Sequence, residues 1–304
     1  MRADPSIPKP SQRQKPRVGI VYSHSIVETA ASRDLAVYLG ACLQLGGYSN
    51  VYLLAFRRDG APLSGEEANP LPNMISVIPQ GGVLPQRPDP SECGFKPWTA
   101  LGECNMVVIC VDPTDTNACA KEVARSIKKG EDLAYFSLQR GVRNFATMKT
   151  HLDGHGVVVL DGAVGLMVTR HPVDGALTSF AQGSLVVQRL SKAQTARGLK
   201  FVNLLRTSGI QIRHCRNITP FTHGSLLFQT LDAAAALTGL SLGEHLMNPW
   251  NRLVWAAMIR EGLETLAAAS RGGGWQPANP CSPVTLPQLE LFLCLPTPIF
   301  KMLR

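Results

Sequence analysis

The sequence predicts an α/β fold: a Rossmann-like N-terminal domain with an antiparallel extension of its sheet, followed by an all-helical C-terminal domain. Three observations predict it. Arg17–Tyr22, Ala30–Leu45 and Val51–Phe56 read as strand, helix and strand, the opening of a doubly wound sheet. Met106–Val111, Thr116–Lys129 and Leu133–Leu138 form a second such unit, which delivers the chain to the loop Leu138-Gln139-Arg140-Gly141-Val142-Arg143-Asn144 at a strand's carboxyl end, where open α/β sheets bind ligands. After Asn217 the composition turns helical, and Asn217–Thr238 is long enough to close over that sheet edge.

The elements follow in order. In the first helix Ala31, Ala36, Gly40 and Ala41 supply small packing faces. Pro62, Pro70, Pro72, Pro79, Pro85, Pro88, Pro90 and Pro97 make residues 60–100 mostly loop around one short strand at Met74–Ile78. Asp115 reads as the N-cap of the helix after it. Gly156–Leu160, Gly165–Thr169 and Ser184–Gln188 are β-branched runs between turn residues and predict the antiparallel extension. Ala193–Thr207 is a helix stopped by Ser208-Gly209, and Ile210–His214 is a further strand. Phe221–Leu237, Pro249–Ser270 and Thr285–Leu293 build the helical domain, with Gly272-Gly273-Gly274 as a breaker and Trp250 and Trp255 assigned to its core. The expected domains are a disordered tail at 1–16, the Rossmann-like domain at 17–216 and the helical domain at 217–304.

A chain of 304 residues with 45% hydrophobic content can bury two cores. No apolar run reaches the ~20 residues of a membrane span, and Met1–Pro16 lacks the apolar middle of a secretory signal, so a cytoplasmic protein without a membrane partner is expected. Cys42, Cys93, Cys104, Cys110, Cys119, Cys215, Cys281 and Cys294 show no zinc spacing and read as reduced, mostly buried thiols. The net charge of +8 is dispersed apart from the tail and the doublets Arg57-Arg58 and Lys128-Lys129, which argues against nucleic acid and suits phosphorylated or carboxylated small molecules.

Several motifs, in order, carry a resemblance: Gln139-x-Gly141-Val142, Val157–Leu160 with Gly162 and Gly183, Ser208-Gly209-Ile210, Ile259-Arg260-Glu261 and Leu295-Pro296-Thr297-Pro298-Ile299-Phe300. Over residues 100 to 304, and more faintly over 17 to 60, the chain resembles the 2-dehydropantoate 2-reductases, the ketopantoate reductase family. The resemblance implies NADPH as cofactor and reduction of the ketone of ketopantoate to pantoate. It places Arg57 and Arg58 near a ribose 2′-phosphate and Gln139 and Gly141 at the cofactor, implies a small 2-oxo acid as substrate if the chain is active, and allows a homo- or heterodimer; Arg140, at the sheet edge, is the candidate substrate-binding residue, able to pair with a carboxylate or a phosphate.

Position by position the chain departs from that pattern. The glycine-rich phosphate loop is replaced by Tyr22-Ser23-His24-Ser25-Ile26-Val27-Glu28, which has no glycine and adds a carboxylate. Arg140 stands where the family's loop has Asn, and Ser225 and Gln229 align with its catalytic Lys and the Asn four residues on. Asp112-Pro113-Thr114-Asp115 reverses the charge of a Lys that faces the cofactor. The sequence stops at Arg304, before the segment that supplies further substrate contacts, so a diverged, C-terminally truncated relative with impaired or altered catalysis is expected. The alternative is a non-catalytic Rossmann-type binding or dimerisation protein, a pseudoenzyme. Plainer roles stand beside these: Arg57 and Arg58 as solvated surface, Arg140 paired with a surface acid, Gly141 serving its turn, His24 and His223 as structural histidines, and Glu261 as a helix-pairing or interdomain residue.

Overall fold

The computed structural model describes residues 17–24, 31–48, 50–58, 77–78, 86–89, 91–127, 133–171, 173–179, 183–189, 195–270, 275–281 and 284–302. The tail 1–16, the loop residues 25–28, residues 74–76 of the expected strand and the breaker 272–274 lie outside the described residues.

β1 (Val18–Ser23) and β2 (Val51–Phe56) pair in parallel around α1 (Ala31–Leu45), Val18 opposite Val51. Every β1 residue is buried because helices cover both faces, which is why the strand reads as a continuous apolar run. β3 (Val77–Ile78) is all that is described of the strand expected before Pro79. The expectation of a single strand in 60–100 fails at β4 (Cys93–Phe95), which adds in parallel to the outer edge of β2, and at the 3-10 turn Trp98–Glu103. Three residues among prolines carry no strand signal of their own; the open edge of β2 supplies the hydrogen bonds.

β5 (Met106–Ile109) lies on the other side of β1, Val18 opposite Met106, so the two predicted units share one sheet. α2 (Thr116–Ser126), β6 (Ala134–Ser137), α3 (Asn144–Leu152) and β7 (Val158–Val164) continue it in parallel. α3 is not among the elements expected from the sequence: it has no side-chain cap at its start, and buries only Asn144, Met148 and Leu152. The antiparallel extension is smaller than expected. β8 (Val168–Arg170) leaves the main sheet, turns back through Gly175 (φ +69°) to β9 (Leu177–Ser179), and forms with β3 a three-stranded sheet against α1. Only β10 (Leu185–Gln188) pairs antiparallel to β7; after α4 (Thr195–Thr207), β11 (Ile212–Cys215) joins β10 in parallel. Among the described residues the main sheet therefore has eight strands in the order β11-β10-β7-β6-β5-β1-β2-β4.

One face of this sheet packs Tyr38, Leu39 and Leu43 of α1 with Leu204 and Leu205 of α4, and the other packs Cys119 and Val123 of α2 with Met148 and Leu152 of α3. The second lobe consists of α5 (Thr219–Thr238), α6 (Leu242–Met247), α7 (Pro249–Ala269), α8 (Leu286–Leu293) and α9 (Thr297–Met302) around Leu227, Leu231, Trp255, Ile259, Leu286 and Phe300. Trp255 is core as expected, but Trp250 is 74% exposed in the first turn of α7. At the centre sits Arg252, fully buried. It donates to the carbonyl oxygens of Leu246 (2.9 Å), Leu293 (3.2 Å) and Leu295 (3.0 Å) and to Thr297 Oγ1 (3.1 Å), and its guanidinium lies over Phe300. One side chain thus satisfies the ends of α6 and α8 that their own helices cannot.

Candidate active site

The loop after β6 is fixed from within. Gln139, buried, accepts from Ser137 Oγ at 3.0 Å and donates to Thr116 Oγ1 at 2.7 Å and to the Val111 carbonyl at 3.1 Å. Thr116 Oγ1 donates to Asn144 Oδ1 at 3.0 Å, and Asn144 Nδ2 donates back to the Arg140 carbonyl. Gly141 turns the chain at φ +102°, a conformation glycine adopts without strain, so that α3 begins three residues later. Gln139 and Gly141, expected at the cofactor, spend their side-chain amide and backbone freedom on the loop itself.

Their product is the placement of Arg140 in a crevice between the sheet's carboxyl edge and α5. Two adjoining hollows share Arg140, Val164 and Leu166. One, of about 80 Å³, runs between Ser32 and Leu35 of α1, Asp112 and Val168. The other, of about 10 Å³, is lined by Ser225, Gln229, Asp232 and Cys281. Arg140 Nη1 meets Asp232 Oδ2 at 3.0 Å. Ser225 Oγ donates to the Val164 carbonyl at 3.4 Å and accepts from Gln229 Nε2 at 3.0 Å. Residues 225, 229 and 232 share one face of α5 by helical spacing, so the positions aligned with the family's Lys and Asn do face the loop residue Arg140. Among the described residues no lysine lines either hollow.

Two residues there escaped the sequence reading. Asp232 had a signal, its place one turn beyond Gln229. Cys281 had none, because it arrives on a segment whose course is set elsewhere. Ala278 N donates to the Pro220 carbonyl at 2.8 Å, and a Cβ on Gly224 or Gly165 would collide with the carbonyl oxygens of Ala278 and Pro280. Burial pushes the Cys281 thiol up to about 12, although Arg140 pulls it the other way, so it is uncharged in the crevice.

At the nucleotide end, Ser23 closes β1 with a hydroxyl that donates to Asp115 Oδ2 at 2.6 Å and accepts from the Asp112 amide at 2.9 Å. The other oxygen of Asp115 takes Nε of Arg58, which follows β2 beside Arg57. Asp115 occupies the N-cap position of α2, but the expected side-chain cap is absent, since its carboxylate turns to Ser23 and Arg58 instead. A nicotinamide nucleotide laid over this edge would find Arg58 at the end of β2, where a 2′-phosphate is normally held, with its charge already met.

The remaining candidates lie elsewhere. His24 ends β1 with a backbone bond to Phe56, and His223 donates from Nδ1 to the Thr219 carbonyl at 2.9 Å and packs on Trp275, both away from the crevice lining. Glu261 is exposed on α7; the helix pairing expected of it belongs to its neighbour Arg260, which meets Glu290 of α8 at 2.6 Å. Among the described residues no group of three His, Cys, Asp or Glu is placed to hold a metal, and no helix is long and apolar enough to cross a membrane.

No protein-family model matches the chain, and no curated protein matches it. Solved structures do. A 2-dehydropantoate 2-reductase from Porphyromonas gingivalis W83 superposes with a TM-score of 0.60 at 17% identity over 94% of this chain and 97% of that one. A ketopantoate reductase from Ralstonia eutropha JMP134 gives 0.60 at 19% identity over 86% and 76%. The fold is that of the ketopantoate reductases. A D-mandelate dehydrogenase solved with NADH and anilino(oxo)acetate gives 0.61 at 13% identity over 93% and 80%.

Proposed function

We propose that the crevice receives a small 2-oxo carboxylate beside a nicotinamide nucleotide, and that the chain is a ketopantoate-reductase-type oxidoreductase with strongly altered catalysis. The observation that carries this reading is Arg140, held at the sheet's carboxyl edge opposite Ser225 and Gln229. Its planar guanidinium is matched to a carboxylate, and Asp232 occupies that valence as a carboxylate stand-in. Ser225 and Gln229 offer a hydroxyl and an amide where an ammonium would polarise the ketone. Loss of one preorganised charge-stabilising donor costs about 2.7–4 kcal/mol of barrier, a factor of about 10²–10³ in turnover. The neighbouring enzymes named for 2-oxo acid reduction or bound to NADH support the substrate class and a nicotinamide cofactor. All eight cysteines are unpaired thiols, which suits the reducing cytoplasm.

One observation favours a second reading, a non-catalytic binding or dimerisation protein: Gln229 donates to Ser225 and Ser225 to the Val164 carbonyl, and among the described residues Arg140 is the one charged donor lining the hollow. Titration of the purified chain into reduced nicotinamide nucleotide, followed by fluorescence, and then addition of 2-oxo acids with loss of the reduced cofactor as readout, tests both. Binding with slow, 2-oxo-acid-dependent oxidation supports the reductase; binding without oxidation supports the second reading; no binding at millimolar nucleotide overturns the cofactor assignment.

A further inference from the structure

We propose that Asp115 is a specificity-determining residue that selects an unphosphorylated nicotinamide dinucleotide, NADH rather than NADPH. The inference rests on the nicotinamide reading above and deepens it. Asp115 reaches across the end of β1. One oxygen is anchored by Ser23, itself buried and fixed by the Asp112 amide, and the other binds Arg58 beyond the end of β2. The carboxylate is 13% exposed and the guanidinium 60%, so the acid is the fixed partner and the arginine the mobile one.

A ribose 2′-phosphate arriving at the end of β2 carries about two negative charges and needs a cation with a free face. Here it meets Arg58 already paired and a carboxylate that Ser23 keeps from turning away. To bind Arg58 it must share that cation with Asp115 at close range, and juxtaposed like charges carry a penalty. A free 2′-hydroxyl has the opposite experience, since it can donate to Asp115 and leave the ion pair intact. The sequence alone pointed the other way, because the Arg57-Arg58 doublet after the second strand is the mark of a phosphate site. What reverses it is a residue 57 positions downstream.

The test is a set of titrations of NADH and NADPH into the full chain and its Asp115→Asn, Arg58→Ala and doubly substituted forms, read by nucleotide fluorescence. The wild type is expected to bind NADH at least about tenfold more tightly than NADPH. Asp115→Asn keeps the side chain's shape, frees Arg58 and should erase or invert that ratio through a gain in NADPH affinity. Adding Arg58→Ala should cancel the gain, because the gain requires the released guanidinium. Thermal melting of each variant separates misfolding from altered preference. A wild type that binds both nucleotides equally or prefers NADPH, or an Asp115→Asn ratio unchanged from wild type, overturns the role of Asp115 and leaves the nicotinamide reading standing. No binding of either nucleotide to any variant overturns the nicotinamide reading itself, and this inference with it.

Discussion

Replacing Asp232 by Asn and, separately, Arg140 by Ala should move the affinity for a 2-oxo carboxylate in opposite directions and by unequal amounts. The wild-type pair is close, 3.0 Å, but open to solvent, with Arg140 39% and Asp232 56% exposed. Pairs this exposed contribute about 0–1 kcal/mol, because water screens the attraction and two long side chains must be held still. A ligand carboxylate that displaces Asp232 gives up no more than that, so Asp232→Asn should tighten binding by about fivefold at most. Arg140→Ala removes a charge-assisted hydrogen bond worth about 1.5–3 kcal/mol, a weakening of roughly 10- to 150-fold. Isothermal titration with ketopantoate and with its uncharged amide reads both effects, and the amide should be indifferent to either substitution. Arg140→Ala binding as tightly as wild type, or Asp232→Asn binding more weakly, would refute the carboxylate role of the crevice.

Three further outcomes follow from the packing. Arg252→Met should cost at least about 3 kcal/mol in chemical denaturation, since four carbonyl oxygens and a hydroxyl, buried or part-buried, lose their donor; a loss below about 1 kcal/mol would contradict its keystone role. Gly224→Ala should lower the melting temperature and, by pushing residues 275–281 off α5, speed the reaction of Cys281 with a thiol reagent, whereas unchanged labelling would show that the segment does not depend on that close approach. Burial raises the Asp161 carboxyl from its ordinary 3.8 to about 7 in the folded chain. The folded state therefore favours the protonated acid, its contribution is complete below pH 4 and is lost as pH rises toward 7. Melting across that window should fall with pH in wild type relative to Asp161→Asn, and parallel curves would disprove the shift.

The fold was legible where local pattern and tertiary role agree. β1, β2, β5 and β6 are buried on both faces and show it as unbroken apolar runs, and α5 and α7 announce themselves by length. β4 was not legible, since a three-residue strand is defined by the edge it joins; β8 is anticipated by the run Gly165–Thr169, but not its pairing with β9 outside the main sheet. At the site, the loop carrying Arg140 and the Ser225 and Gln229 face of α5 could be placed by order and spacing. Gln139 was read for its family role, while its burial among Ser137, Val111 and Thr116 depends on contacts across three elements. The Asp115 to Arg58 pair lies beyond any sequence pattern, because its meaning arises only when the ends of β1, β2 and β5 are brought side by side. Arg252 has a sign in the sequence, an arginine within an apolar helical stretch, but of its four carbonyl partners Leu293 and Leu295 come from a turn distant in the chain.

In the proposed 2-oxo acid site between the two lobes, Arg140 is the group that receives the carboxylate. A crystal structure of the chain with reduced nicotinamide nucleotide and ketopantoate tests it most directly. The expected result is the ligand's carboxylate on the Arg140 guanidinium, with Asp232 turned away and the ketone oxygen facing Ser225 and Gln229. An intact Arg140 to Asp232 pair with ligand bound elsewhere would contradict it.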